Sequence, residues 1–177
     1  LGYMDKDGFL YVLGRFKSLL IADDGEKYSP ESIEEALVQH ARFIEQCMLH
    51  NSQNAYTTAL IYPNFAAIRS WLADSGKKAG DEATEREIIQ QIESQINQFL
   101  PGGKFEKMFP HRWLPASFAL IGEGFTEDNH LLNSTMKIVR PKITEQFRER
   151  IEHMYIPAGK NIFNNYNLTI VKEGLNR

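Results

Sequence analysis

Basic side chains and a glycine turn mark two stretches of the sequence that could contact a phosphorylated ligand. Residues 1–34 contain Arg15, Lys17, Gly25 and Lys27, and residues 131–140 contain Lys137. The planar fork of Arg15 suits a phosphate or paired ribose hydroxyls, and Gly25, having no Cβ, lets a ligand approach the backbone closely. The structural alternatives are solvated basic side chains and an ordinary Asp-Gly turn. From spacing alone, Lys137 is predicted to be a solvated loop lysine.

Other searches for catalytic or metal-binding patterns fail. The sequence has no Walker-type or Rossmann glycine loop. Its histidines form no i,i+4 pair and no zinc-like spacing with Cys47. Asp5 to Gly8 resembles the start of a calcium loop, but the third acid and the closing Glu are missing, so a turn is predicted. The Asn133 and Asn167 glycosylation sequons are interpreted as chance matches.

Composition places the chain among globular proteins. It has 177 residues, 42% hydrophobic and 24% charged, which suits about one domain. The net charge of -3 argues against a bulk nucleic-acid binder. The single cysteine favours a reducing compartment, and no apolar run approaches the ~20 residues of a membrane span. A cytoplasmic location is therefore expected. The first residue, Leu1, hints at a fragment of something longer.

Short strands dominate the first third of the predicted structure. Residues 2–21 are predicted to contain a hairpin around Asp5–Gly8, and Asp23–Glu26 should form a second turn. Ser29 is expected to cap a helix with Pro30 at its first position. Strands are predicted over residues 43–50 and 57–62, joined by a polar loop at 51–54.

Amphipathic helices dominate the remainder. The predicted features are a cap at Asn64, a capping box at Thr84–Glu87, an apolar stripe of Ile88, Ile92, Ile96 and Phe99, an edge or bent strand over 112–121 with Pro115, and a helix restarting at Pro141. The tail from Pro157 is only weakly patterned. The fold class is therefore predicted as α+β, a small β-sheet with an N-terminal hairpin covered by amphipathic helices and with hairpins rather than regular βαβ units.

The two stretches, in this order and about 100 residues apart, resemble the C-terminal domain of the adenylate-forming enzymes. The first matches the pattern G-x-x-D-x-x-G-x-x-x-x-x-G-R-x-K/D from Gly2 to Lys17 and continues through a glycine turn to P-x-x-I-E, which ends at Glu34. The second supplies Lys137 with Arg140 three residues later. The added middle helices and residues 105–107 and 118–129 resemble the long-chain fatty acyl-CoA ligase branch. The resemblance covers roughly residues 1–150.

The resemblance implies a role for each of the singled-out residues. Lys137 would be catalytic, Arg15 nucleotide-binding and Lys17 the hinge residue, while Gly25 and Lys27 would line the coenzyme A path. Many relatives carry Arg at the position of Lys27, so the charge is kept but a bidentate contact is lost. The acidic pair Asp23-Asp24 is unexpected beside a phosphorylated cofactor.

The resemblance also implies substrates, partners and boundaries. ATP with Mg²⁺ and coenzyme A would be substrates of a full-length enzyme that activates a fatty acid through acyl-AMP, with none of them bound by this domain alone. The expected partner is an N-terminal adenylation domain of the same polypeptide. Residues 1–22 would form the hairpin and hinge segment, 23–153 the core and 154–177 a tail of unknown role. Two alternatives stay open, an enzyme that loads a carrier protein and a non-catalytic binding module.

Overall fold

A computed structural model describes residues 2–12 and 18–176. The strands are β1 (Gly2–Met4), β2 (Leu10–Val12), β3 (Leu20–Ala22), β4 (Lys27–Tyr28), β5 (Ile44–His50), β6 (Ser52–Asn54), β7 (Thr57–Pro63) and β8 (Pro115–Leu120). The helices are α1 (Glu31–His40), α2 (Phe65–Asp74), α3 (Glu82–Asn97), α4 (Arg140–Gln146), α5 (Arg148–Met154), α6 (Pro157–Lys160) and α7 (Asn165–Leu175), and a 3-10 turn (His111–Trp113) precedes β8. The α+β prediction is confirmed.

The first hairpin pairs β1 with β2 in antiparallel register, from Gly2 opposite Val12 to Met4 opposite Leu10. An Asp5 Oδ1 atom accepts hydrogen bonds from the backbone N–H groups of Asp7 (2.9 Å) and Phe9 (3.0 Å). Gly8 has φ +85°, a conformation that favours glycine. The predicted hairpin is confirmed, and the calcium-like residues form its turn.

A second sheet has the strand order β4-β3-β6. β3 and β4 are antiparallel across the predicted Asp23–Glu26 turn. β6 adds to the other edge of β3 in parallel register, although the sequence predicts only a polar loop over 51–54. The polar strand was missed because its partner is distant in sequence, so no local hydrophobic alternation marks it.

The third sheet has the strand order β5-β7-β8. β5 and β7 are antiparallel, as predicted. β8 is parallel to β7 and starts at Pro115 on the sheet edge, where a missing N–H is tolerated. Because α2 and α3 lie between β7 and β8 in the chain, this connection is a crossover, so the expectation of hairpins alone was wrong for this pair.

This sheet is buried on both faces. Ala59 and Ile61 of β7 belong to one core cluster, whereas Leu60 between them belongs to the other. The first cluster takes side chains from α1, α2, α3 and α7, including Ile33, Leu37, Ile68, Ile88, Ile92 and Val171. The second takes Leu131, Ile143 and Ile151. Helices therefore cover the sheet from two sides, and the segment carrying Lys137 is anchored in the second cluster.

The helix starts agree with the sequence only in part. Asn64 caps α2 by accepting from Ala67 N–H at 3.0 Å, as predicted. α1 begins one residue later than expected, because Pro30 is its N-cap residue and Ser29 makes no cap. The Pro30 carbonyl accepts the first hydrogen bonds of the helix. α3 is capped by Asp81, whose Oδ1 accepts from Thr84 N–H at 2.6 Å, so the capping box predicted at Thr84 was wrong.

The C-terminal part is more regular than the sequence predicts. The expected helix from Pro141 is two helices, α4 and α5, which meet at Phe147. Residues 157–175 form α6 and α7, which pack on α3, α5 and β8. Asn167 is fully buried; its side chain accepts from Leu120 N–H (2.8 Å) and donates to Ile162 O (2.8 Å). Across residues 2–12 and 18–176, no helix is long and apolar enough to span a bilayer.

Candidate functional site

Lys137 lies on a tight loop just before α4. Leu132 and Ile138 form an antiparallel bridge at the base of this loop. The Asn133 Oδ1 atom accepts from Lys137 N–H at 3.0 Å, and the Asn133 N–H donates to the Lys137 carbonyl at 2.9 Å. The Lys137 side chain is exposed. The backbone is thus held on both its polar groups while the ammonium remains free to reach a ligand.

The loop is closed by a buried ion pair at the start of α4. Arg140 contacts the Glu34 carboxylate of α1, and only 15% and 8% of the two side chains are exposed. Glu34 Oε1 also accepts from Leu49 N–H at 2.6 Å. Burial raises the pKa of Glu34, while the charge of Arg140 and the two sets of hydrogen bonds oppose that rise. Sequence reasoning quoted both residues within their motifs but gave no reason to join them.

An open groove of about 820 Å³ extends from the Lys137 loop along α1. Its lining combines the apolar Val38, Phe125 and Met136 with the acids Glu31, Glu35 and Glu45. Arg140 is the other cation in the lining and is paired with Glu34. Lys137 therefore supplies an exposed positive charge beside the carboxylates of this groove.

Gly25 lies in the β3–β4 turn with φ +84°. Its N–H donates to Ala22 O at 3.0 Å, and Glu26 N–H donates to Asp24 Oδ1 at 3.0 Å. A Cβ built on Gly25 would meet nothing within 4 Å. The glycine is thus required by the backbone conformation, and the space above it is open, as a close approach by a thin ligand would need.

Arg112 accounts for the unexpected acidity of this turn. Its guanidinium contacts Asp24 (2.6 Å) and Glu26 (3.1 Å). The hydrogen bond from Arg112 lowers the pKa of Asp24, and the same contact raises the pKa of Arg112. Arg112 was missed because 88 residues separate it from Asp24 and no motif includes it.

The neighbouring aromatic side chains hold the base of the turn. Trp113 stacks on Tyr28 with ring centroids 5.2 Å apart and planes inclined by 6°. The Tyr28 hydroxyl contacts the Thr57 hydroxyl of β7, so the second sheet is fixed to the third. Lys27, which precedes Tyr28 on β4, is exposed.

The sequence-predicted site residues do not all come together. Gly25 and Lys27 are absent from the groove that Lys137 lines. The nucleotide-binding prediction for Arg15 and the hinge prediction for Lys17 both fall outside the described residues. Within the described part of the chain, no group of three His, Cys, Asp or Glu side chains could hold a metal ion. Burial raises the pKa of the Cys47 thiol well above its usual value, so it is a poor nucleophile.

Curated relatives cover most of this chain. A long-chain-fatty-acid–CoA ligase of Mycobacterium tuberculosis, FadD15, is 31% identical over 160 residues, which are 88% of this chain and 25% of the relative. Long chain acyl-CoA synthetase 8 of Arabidopsis thaliana is 27% identical over 159 residues, 88% of this chain and 21% of the relative. The chain thus spans about a quarter of the length of these relatives. No protein-family model matches it.

Solved structures share the fold. The adenylation domain of a carboxylate reductase from Mycobacterium chelonae superposes with a TM-score of 0.62 at 23% identity, covering 86% of this chain and 24% of that one. The corresponding domain from Segniliparus rugosus, solved with AMP and a carboxylic acid, gives 0.60 at 22%, again covering 86% and 24%. The chain is thus similar to long-chain fatty acid–CoA ligases over 88% of its length, and it shares the fold of adenylation domains.

Proposed function

We propose that this chain is the mobile C-terminal domain of a long-chain fatty acid–CoA ligase, and that Lys137 serves its first half-reaction. The observation that carries the proposal is the exposed Lys137 ammonium on a loop whose backbone is fixed by Asn133. The similarity to long-chain acyl-CoA synthetases over 88% of the chain supports the substrate class. Residues 1–22 would provide the hairpin and hinge, 23–153 the core and 154–177 the C-terminal segment.

In the first half-reaction, the fatty acid carboxylate attacks the α-phosphate of ATP, forming acyl-AMP and releasing pyrophosphate. Negative charge grows on the phosphoryl oxygens and on the leaving pyrophosphate. The Lys137 ammonium would stabilise this charge without forming a covalent bond. Arg15 would lie near the nucleotide. Mg²⁺ would arrive with ATP, and the fatty acid and phosphate sites would belong to the partner N-terminal adenylation domain.

In the second half-reaction, coenzyme A displaces AMP to give acyl-CoA. The domain would rotate about Lys17 and offer the Gly25 turn to the pantetheine arm, with Lys27 near the phosphates. The separation of the Gly25 turn from the Lys137 groove supports this division, because one surface could serve each half-reaction. Arg112 would reduce the repulsion between the acidic turn and the cofactor, because its positive charge pairs with Asp24 and Glu26 and offsets part of their negative charge.

Lys137→Ala in the full-length enzyme tests the proposal. Acyl-adenylate formation should fall by about 10²–10³-fold, by analogy with the loss of one oxyanion donor. Thioester formation from supplied acyl-adenylate should stay near the wild-type rate. Pyrophosphate release measures the first step, and acyl-CoA formation from added acyl-AMP measures the second. Unchanged pyrophosphate release would contradict the proposal and favour a non-catalytic binding module.

An enzyme that loads a carrier protein is the second candidate. The carboxylate reductase structures that share this fold include an adenylation domain joined to a PCP domain, but at 21% identity they support the fold and do not choose an acceptor. The full-length enzyme should be given ATP, a fatty acid and either coenzyme A or a carrier protein. The ligase hypothesis expects acyl-CoA, whereas thioester on the carrier alone would overturn it.

A cytoplasmic location is part of the proposal, although two Arabidopsis relatives are named as peroxisomal.

A further inference from the structure

The two sequence motifs meet through their last residues. Glu34 ends the first motif and Arg140 ends the second, 106 residues apart. Their side chains form an ion pair and are almost fully removed from solvent, with 8% and 15% exposed. Ion pairs on a protein surface contribute little to folding stability. A buried pair of this kind is costly to desolvate and requires well-defined geometry, so its position beside Lys137 calls for an explanation.

A shared backbone partner fixes this pair in place. Glu34 Oε1 accepts from the N–H of Leu49 at 2.6 Å, while Arg140 Nη1 donates to the carbonyl of the same residue at 3.3 Å. The ring Glu34–Arg140–Leu49 therefore joins α1, β5 and the first residue of α4. Because both charged side chains bond each other and the same backbone residue, their orientation is restricted as well as their separation.

The ring is close enough to control Lys137. Arg140 is three residues after the lysine, and the intervening Val139 N–H donates to Leu131 O at 2.8 Å. Asn133 holds both polar backbone groups of Lys137. The lysine backbone is thus attached to the loop on one side and to the α1–β5 body on the other. The side chain of Lys137 is the part of this residue that extends into solvent.

We propose that Arg140 and Glu34 are positioning residues for Lys137 in acyl-adenylate formation. This inference rests on the proposed function. Neither residue contacts the substrate; together they place the loop so that the ammonium meets the α-phosphate when the partner domain closes. A displacement of about 1 Å at a reacting group can cost roughly 10²-fold in rate. This requirement, rather than folding stability, explains why the first motif ends on an acidic residue and the second on a basic one.

Replacing both charges separates positioning from folding. A buried ion pair replaced by apolar side chains of similar volume is often neutral for stability, whereas a single replacement leaves a charge buried. Glu34→Met with Arg140→Met in the full-length enzyme should therefore fold, with a melting temperature lowered by the loss of the hydrogen bonds to the Leu49 N–H and carbonyl. We expect kcat for acyl-adenylate formation to fall about 10–10²-fold, with thioester formation from supplied acyl-AMP nearly unchanged.

A matched control uses the surface pair of the same residue types. Glu145 and Arg148 contact each other with 71% and 61% of their side chains exposed. Glu145→Met with Arg148→Met should leave both half-reactions at wild-type rates. Glu34→Gln is the second variant if the buried double substitution destabilises the fold, because its amide oxygen still accepts from Leu49 N–H. It should lose several-fold in adenylate formation by weakening the hold on Arg140.

The decisive measurement combines the pair with Lys137→Ala. If the pair acts through the lysine, adding Glu34→Met and Arg140→Met to Lys137→Ala should cause no further loss of adenylate formation. Losses that multiply would overturn the positioning role, as would wild-type adenylate formation in the folded double variant or in Glu34→Gln. If Lys137→Ala itself retains full adenylate formation, the proposed function fails first, and that result differs from either of these.

Discussion

At the residue scale, the candidate side chains differ in how strongly the chain constrains them. Lys137 is exposed on a constrained backbone, whereas Arg140 is constrained along its whole side chain. This difference fits the proposed roles, in which Lys137 acts on a ligand and Arg140 positions Lys137. Gly25 is constrained by its backbone dihedral angle, and no atom of the described residues fills the space where its Cβ would be.

Gly25→Leu should affect the thioester step and spare the adenylate step. A Cβ there would meet no described atom within 4 Å, so a loss of thioester formation beyond the backbone cost would come from the coenzyme A path. We expect a decrease on the order of 10²-fold in thioester formation. The left-handed backbone angle adds about 1–2 kcal/mol of destabilisation. Both half-reactions should be measured separately on the full-length enzyme.

Gly76→Leu is the matched control for that substitution. Gly76 also has positive φ (+67°), and a Cβ at this position would meet no atom within 4 Å. It lies after α2, away from the Gly25 turn. The substitution should bring the same backbone cost without a loss of thioester formation. Equal losses in the two variants would assign the Gly25 effect to folding and remove Gly25 from the coenzyme A path.

At the element scale, hydrogen bonds from side chains to backbone groups hold the C-terminal helices against the third sheet. Asn167 of α7 donates to Phe118 O and accepts from Leu120 N–H and Arg150, all with a fully buried side chain. Burial lowers the pKa of Arg150 to about 10, so the guanidinium remains charged near neutral pH. These contacts turn the weakly patterned tail into a helix that closes the core.

His50 and Tyr155 link β5 to the end of α5 in the same way. His50 Nδ1 lies 3.0 Å from the Tyr155 hydroxyl, which also donates to the His50 carbonyl. Burial lowers the pKa of His50 and raises the pKa of Tyr155 to about 12. At neutral pH the imidazole is therefore held in its uncharged form against the neutral phenol.

This burial predicts a loss of stability in mild acid. The unfolded chain binds a proton at His50 near the ordinary pKa of 6.5, whereas the folded chain does so only at lower pH. Between these two pH values the unfolded state holds more protons, so the free energy of unfolding decreases as the pH falls through that window. Denaturant unfolding across this range should show a weaker pH dependence for His50→Gln than for wild type. An identical slope for both proteins would contradict a role for His50.

At the scale of the whole molecule, two separated candidate surfaces are both tied to the third sheet. The Lys137 loop is anchored in the second core cluster, and the Gly25 turn is tied to β7 through Tyr28. The groove beside Lys137 is open, which fits the proposal that this domain completes an active site provided by a partner.

The isolated 177-residue chain should consequently be inactive. Given ATP, Mg²⁺, a fatty acid and coenzyme A, it should form no acyl-CoA and bind ATP weakly or not at all, because the acyl and phosphate sites would belong to the partner domain. Acyl-CoA assays and calorimetry with ATP test this expectation, with the full-length enzyme as the positive control. Substantial acyl-CoA synthesis by the isolated chain would refute the proposed division of labour between the two domains.

The sequence by itself determined the local features, namely the Asp5–Gly8 turn, the paired strands β5 and β7, the Asn64 cap and the stripe of α3, because each depends on residues close together in the chain. Motif resemblance also predicted roles for Lys137 and Gly25, which stay predictions. Only the tertiary structure decided that β6 lies parallel to β3 and β8 parallel to β7, that Arg112 pairs with Asp24, and that Glu34 pairs with Arg140. These contacts join residues far apart in the chain, so no local periodicity or turn chemistry records them.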